Sequence, residues 1–337
     1  MIDLYQYLFK NYITYDSLFA LNKKAFYERS DAENVDIFID MPSLINDIFT
    51  MPFEFSYNST SVLTSSIINL CAHLRNYYFT RHRVWARFYI IWAWNRPDYI
   101  RQMIPEYNAH LIMAQDSRNI FKVMVEENLK ILETLCPYLP DIYFVNGGNY
   151  EVGTIISALV KNMGKLLNNS NIPNIIYTRD AYQYLLVSVL PLTFIFRPKK
   201  TKGVDNSYII SKTNLIDIYI QRELKQVSHN KPTEYNRFLD YIAYAGLKCR
   251  GVNGVVRFKQ AIDYITNKKI LIFSNQEQDR TNLLYQVFNI KQQLDIFSNS
   301  TEYVLLQKGL MNLINPEEVK KINDMYFEDY PLDLNAL

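Results

Sequence analysis

Val35-Asp36-Ile37-Phe38-Ile39 is a compact apolar run that ends on Asp40, and Pro42 and Ser43 follow almost at once. Leu44, Ile45, Ile48 and Phe49 then recur at helical spacing, with Ser43 as candidate N-cap. A strand that ends in an acid and turns into a helix opens an α/β domain. The pattern repeats down the chain. Residues 88–94 read as a second buried strand, 117–136 as a helix, and Ile142–Val145 as a short strand. The Gly147-Gly148 turn, a helix over Glu151–Lys165 and a strand over Asn174–Thr178 follow. Leu185–Leu190 and Thr193–Arg197 read as two further strands broken at Pro191. Strands alternating with helices predict a mostly parallel sheet.

Outside that block the signal is helical. Residues 1–34 read as an N-terminal helical extension, with Tyr5, Leu8, Phe9, Tyr12 and Ile13 at helical spacing. Residues 60–87 read as helical and partly basic, and the chain from about 213 onward as a helical C-terminal region, 213–337. The α/β domain spans 35–212.

Composition narrows the class. At 49% hydrophobic and 21% charged, the 337 residues build a substantial core and are not an intrinsically disordered chain. The net charge of +2 excludes a histone-like coat protein and leaves room for a local basic groove. Three scattered cysteines, Cys71, Cys136 and Cys249, give neither a disulfide framework nor a CxxC site, which suits a reducing compartment. His73, His82, His110 and His229 lack zinc-ligand spacing. The N-terminus does not read as a secretory signal, and the most apolar run, Tyr182–Phe196, is too short to span a bilayer. Gly is scarce at nine residues, where average usage of about 7% gives roughly two dozen. Aromatics are abundant at 15%.

Five segments, in order, carry a family pattern. They are Ile37-Phe38-Ile39-Asp40; Ile91-Trp92-Ala93-Trp94 with Arg101, Pro105, Glu106 and Tyr107; Gly148-Asn149-Tyr150-Glu151-Val152-Gly153-Thr154; Ile176-Tyr177-Thr178-Arg179-Asp180; and Ala245-Gly246 with Gly251-Val252-Asn253-Gly254-Val255. Collinear over about 35–265, they resemble the 5′ nucleases, the family of flap endonucleases and phage 5′–3′ exonucleases. The resemblance implies a PIN-like parallel-sheet core, a helical C-terminal region with a helix-turn-helix-type DNA-binding element near 245–265, and two-metal hydrolysis of phosphodiesters.

The departures fall on that chemistry. Asp40, Glu151 and Asp180 remain as a remnant metal site. Trp94, Gly153, Thr154, Tyr182 and Leu247 stand where the family has acids, and Asn108 and Leu111 where it has the Lys and Arg of a Tyr-Lys-x-x-Arg signature. No cofactor is expected beyond one weakly bound Mg²⁺ or Mn²⁺. If the register slips, Asp98, Glu106 and Asp141 are nearby acids that serve instead.

Partner signals are of two kinds. Arg75, Arg81 and Arg83 lie among Tyr77, Tyr78, Phe79 and Trp85, where the family forms a helical arch over single-stranded DNA. An ordinary amphipathic helix with core aromatics fits the same residues. Gly251 and Gly254, flanked by Arg250, Arg257 and Lys259, read as a turn whose backbone amides approach a phosphate, or as a turn kept for packing. Lys199, Lys200 and Lys202 read as a solvated turn. Gln293-Leu294-Asp295-Ile296-Phe297 resembles the peptide by which bacterial replication proteins hook a sliding clamp, anchored by Gln293, Leu294 and Phe297. A helix that turns these residues to the core defeats that reading.

Three readings stand together. The first is a catalytically inactive 5′-nuclease-like protein that binds DNA or a protein partner in replication, repair or transcription. The others are an active metal-dependent 5′ nuclease and a structural subunit that does not bind nucleic acid. Many Asn, Ile, Lys and Tyr with little Gly suit an AT-rich genome, and collinear but eroded motifs suit a bacteriophage, which places the protein in the host cytoplasm.

Overall fold

The computed structural model describes residues 33–49, 62–109, 119–166, 172–197, 208–211, 238–267, 272–300 and 303. The elements are β1 (Glu33–Asp40), α1 (Met41–Phe49), α2 (Val62–His82), β2 (Val84–Trp92), α3 (Asp98–Met103), α4 (Asn119–Leu135), β3 (Ile142–Asn146), α5 (Val152–Leu166), β4 (Asn174–Tyr177), α6 (Tyr184–Val189), β5 (Thr193–Arg197) and β6 (Tyr208–Ile210). A helical region follows: α7 (Phe238–Ala245), a hairpin of β7 (Gly246–Leu247) and β8 (Val252–Asn253), then α8 (Phe258–Asn267), α9 (Asn275–Val287) and α10 (Ile290–Ser298). Among the described residues no helix is long and apolar enough to cross a membrane.

The main sheet has the order β3-β2-β1-β4-β5-β6. β1 to β5 pair in parallel, and only β6 runs antiparallel, against β5. This is an α/β fold with helices on both faces, as the alternating pattern predicts. Val35, Ile37 and Ile39 enter one core with Ile67, Leu70 and Cys71 of α2 and Leu129 and Leu132 of α4. Phe38 enters the other with Ile155 and Leu159 of α5, Leu185 of α6, Ile242 of α7, Leu284 of α9 and Phe297 of α10. The C-terminal helices therefore cover one face of the sheet through one continuous core. Burial on both faces makes the central strands near-continuous apolar runs. Among the buried polar exceptions, the Asp36 carboxylate takes two hydrogen bonds from Arg87 on β2, at 2.7 and 2.9 Å.

Strand β6 and the β7–β8 hairpin are not read from the sequence, and two of the elements that are read differ. Leu185–Leu190 has the makings of a strand, but Tyr184–Val189 is helix α6. Tyr184 to Val187 are all buried, so no amphipathic period betrays the helix, and a short apolar run fits either state. The second strand begins at Val84, four residues before 88. Helix α2 ends because Arg83 adopts a left-handed φ of 56°. Arg87 is polar in sequence yet sits inside the strand, paired with Asp36.

Candidate functional site

The chain goes from β1 to β2 and β3 on one side, then crosses to β4 on the other. The carboxyl ends of β1 and β4 thus form the switch point at which open α/β sheets place their sites. Asp40 ends β1 there and is fully buried. Its Oδ1 accepts from the Ser43 amide at 3.1 Å and its Oδ2 from the Thr178 hydroxyl at 2.6 Å. Asp40, and not Ser43, thereby caps the start of α1. Ser43 instead accepts from the Arg179 amide at 2.8 Å, which stitches α1 to the end of β4. Thr178 Oγ1 accepts from the Asp180 amide at 2.9 Å, and Asp180 Oδ1 caps the next turn by accepting from the Tyr182 amide at 3.0 Å.

Glu151 precedes α5 and is also fully buried. Its Oε1 accepts from the Tyr107 hydroxyl at 2.7 Å, and its Oε2 from Arg250 Nη2 at 2.9 Å. The same Nη2 donates to Asp180 Oδ2. Two carboxylates from separate elements thus converge on one nitrogen. The Arg250 guanidinium lies over the Tyr182 ring, 4.8 Å from its centre. Side-chain exposure is 5% for Arg250, 0% for Glu151 and 12% for Asp180, so this is an interior ion pair. Burial opposes the charge on Arg250, yet Asp180 and Glu151 push its pKa above the ordinary value. Burial pushes Glu151 up, against the pull of Arg250 and Tyr107. Burial and then the charge of Asp180 raise Asp40 from 3.8 to about 7. One positive charge faces three acids, and the raised pKa of Asp40 lessens the excess of negative charge as pH falls toward neutral.

The non-acidic positions are filled by packing. Trp94 stacks its edge on Trp92 at 5.1 Å, with the Arg96 guanidinium 5.6 Å over its ring. A Cβ on Gly153 would lie 2.7 Å from Gln183 Oε1, so the space of a side chain there belongs to Gln183. The Thr154 hydroxyl donates to Gln293 Oε1 at 2.9 Å, and Gln293 Nε2 donates to the Tyr182 hydroxyl. Leu247 is fully buried. The Asn108 amide donates to the Arg250 carbonyl at 2.8 Å and its Nδ2 to the Asn95 carbonyl at 2.7 Å. Leu111 lies outside the described residues.

No protein-family model matches the chain, and no curated protein matches it. Among solved structures, the bacteriophage T5 flap endonuclease, in a pseudo-enzyme–product complex with DNA and metal ions, is similar over 86% of this chain and 100% of its own. The TM-score is 0.52 and the identity 15%. The T5 protein co-crystallised with metal ions is similar over 86% of this chain and 99% of its own, with TM-score 0.51 and 13% identity.

The chain has a PIN-like 5′-nuclease fold.

Within the 5′-nuclease fold the expected nucleic-acid residues separate into three groups. Arg75 and Arg250 are interior, which corrects their reading as phosphate contacts. Arg75 Nε donates to the Ala86 carbonyl at 3.1 Å, and its guanidinium lies 4.6 Å over the Trp85 ring. Arg81 and Arg83 are exposed but stand at the wrong end of the sheet. Helix α2 returns antiparallel to the strands, and Val84 pairs with Glu33, seven residues before Asp40. At ~3.3 Å per strand residue that is about 23 Å from the site. Arg101, Arg257 and Lys259 are exposed. Arg101 lies on α3, beyond the carboxyl end of β2, with Asp98 at 4.0 Å.

The Gly251–Gly254 turn engages its own amides. Gly251 N–H donates to the Lys248 carbonyl at 3.0 Å, and the amides of Val255 and Val256 donate to the Tyr244 carbonyl at 2.8 and 3.2 Å. Gly246 has φ +78°, and a Cβ there would lie 2.3 Å from the Gly254 nitrogen. The two glycines let the hairpin ends cross and so deliver Arg250 inward. Gln293, Leu294 and Phe297 are buried in α10. That overturns the clamp reading, because the anchors of such a peptide face the core. The alternative acids are dispersed: Asp98 is exposed, Glu106 pairs with Arg280, and Asp141 accepts from Trp85 Nε1 at 2.8 Å. Among the described residues no group of three His, Cys, Asp or Glu is placed to hold a metal ion. The lysines at 199, 200 and 202 lie outside the described residues.

Gln183 carries no sequence signal of its own, and sequence reasoning gives Arg250 a surface role. One signal does exist for Arg250. Three acids expected in one buried site need a cation, and Arg250 adjoins the fifth family segment.

Proposed function

We propose that this chain is a 5′-nuclease-like protein that binds DNA without hydrolysing it and serves replication, repair or transcription. One observation carries the reading: Arg250 Nη2 is shared by Glu151 Oε2 and Asp180 Oδ2. Two-metal hydrolysis needs hard oxygen ligands free to hold two divalent ions. Here two of the three remaining acids share one guanidinium of the protein itself, and the third, Asp40, caps a helix. The ring of Tyr182 suits a guanidinium and offers no ligand to a hard cation. The donor set does not fit a pair of divalent ions, and no step is routed through them.

DNA binding draws support from the shared fold, since the T5 flap endonuclease of similar fold was crystallised with DNA. Exposed Arg101, Arg257 and Lys259 are the basic residues that would meet phosphates. Arg280 joins the Arg101 and Arg257 regions, because it pairs with Glu106 and donates to the Asn253 carbonyl at 3.4 Å.

The test is a labelled flap or 5′-overhang DNA with Mg²⁺ or Mn²⁺, read for cleavage and for binding across a salt series. Salt-sensitive binding without cleavage is expected. Replacing Arg101, Arg257 and Lys259 by Ala together lowers the salt slope by about one unit for each phosphate that is no longer neutralised. Turnover that Asp40→Ala abolishes sinks the reading.

A further inference from the structure

We infer that Arg250 is a tethered counter-ion that holds the cation position of this site, so that the folded protein is independent of divalent metal. Removing its charge hands that position to a divalent ion. The inference deepens the non-hydrolytic reading and rests on it.

The geometry begins with convergence. Glu151 Oε2 and Asp180 Oδ2 come from the start of α5 and the end of β4, and both address Arg250 Nη2. Oxygens of two carboxylates aimed at one point are part of a ligand set for a hard cation, which completes its shell with water. Asp40 is tied to the same strand end, because the Thr178 hydroxyl donates to its Oδ2 and accepts from the Asp180 amide. Left without a counter-charge, these acids would repel one another in a buried setting or take up protons. A chain that depends on a solution ion for that charge folds with the ion. Here the charge arrives on the hairpin between α7 and α8.

The surroundings offer a guanidinium one aromatic face and two carboxylates on Nη2, while the buried Nε has no hydrogen-bond partner among the described residues. Tyr182 presents its ring face 4.8 Å from Arg250 Cζ, while its hydroxyl accepts from Gln293 on α10. A ring face attracts an organic cation and cannot replace a carboxylate on Mg²⁺. The Arg250 carbonyl accepts from the Asn108 amide, and the Gly251 amide closes the turn on Lys248. The side chain therefore enters from a fixed backbone. Tyr107 holds the other Glu151 oxygen, so the carboxylate keeps its aim when Arg250 is changed.

The experiment compares thermal unfolding of the full chain, Arg250→Lys, Arg250→Met and Arg250→Met/Glu151→Gln, each in chelator and in Mn²⁺. The wild type and Arg250→Lys are expected to melt at the same temperature in both, within about 1 °C. Arg250→Met melts lower in chelator and gains about 3 °C or more in Mn²⁺, as a ligand that binds only the native state requires. The double variant loses that gain. Should Arg250→Met not fold in chelator, refolding in Mn²⁺ is expected to recover it. Three results overturn the inference: a wild-type gain equal to that of Arg250→Met, a folded Arg250→Met that gains nothing, or a variant recovered in neither condition. A wild type stabilised by Mn²⁺ that leaves DNA intact defeats this inference alone. Cleavage by the wild type defeats the functional reading.

Discussion

Arg250 and Glu151 are separated by 99 residues in the chain and by 2.9 Å in space. Their ion pair joins the helical region to the sheet at the point where the fold keeps its acids. Removing one partner leaves the other buried and uncompensated, which costs about 3–5 kcal/mol. Arg250→Met in metal-free buffer is expected to lose that much in urea unfolding. A double-mutant cycle with Glu151→Gln should return a coupling of about 1–3 kcal/mol. A coupling near zero would show that the two side chains do not act on each other.

Asp40 fixes the pH response. Its pKa rises from 3.8 to about 7 on folding, so between those values the native state holds a proton that the unfolded chain has released. Stability from this group is full below about 4 and is lost as pH rises through 7. Burial raises Glu151 too, and that acts in the same direction. Unfolding free energy is therefore expected to fall from pH 4 to pH 7. Asp40→Asn, which keeps a neutral side chain at the cap, should fall less. Equal slopes for the two proteins would refute the assignment to Asp40.

Two glycines make opposite predictions. Gly246 needs its positive φ, and its missing Cβ faces backbone, so Gly246→Ala should cost at least ~2 kcal/mol with no single rescuing change. At Gly153 the nearest atom is the movable end of Gln183. Gly153→Ala should cost about 1 kcal/mol and become neutral in a Gln183→Ala background. Chemical denaturation of the four variants distinguishes the cases.

Phe297 is 1% exposed and packs against Tyr150 and Tyr303. Phe297→Ala is expected to destabilise by about 3–5 kcal/mol, the cost of a core aromatic. A fully stable variant would contradict its place in the core.

Arg81 and Arg83 stand at the far end of the strands from Asp40. Replacing both by Ala should leave DNA affinity within about twofold, whereas the Arg101, Arg257 and Lys259 triple variant should weaken it. Fluorescence anisotropy at fixed salt reads both. Equal losses in the two variants would place the DNA path elsewhere.

The sheet is legible in sequence because its strands are buried on both faces. Val35–Asp40, Ile142–Asn146, Asn174–Tyr177 and Thr193–Arg197 are apolar runs bounded by turn residues, and all four form strands. α6 is not legible, since a helix buried all round carries no stripe. Asp40, Glu151 and Asp180 stand out because each lies at the end or the start of a recognisable element. Arg75 and Arg250 mislead because sequence shows an arginine's charge and hides its depth. Arg75 lies under β2 with its charge on backbone carbonyls and an indole ring, and nothing local to residues 70–80 reveals that.

The sequence by itself determined the alternation of strand and helix, the acids at the strand ends and the glycines of the hairpin. Those are local properties, set by periodicity and backbone sterics within a few residues. Only the tertiary structure decided which charge answers which. Glu151, Asp180, Arg250 and Tyr182 meet because β4 crosses beside β1 and the hairpin brings Arg250 back to the carboxyl end of the sheet. Electrostatic energy depends on distance and burial, and both are fixed only when remote segments pack.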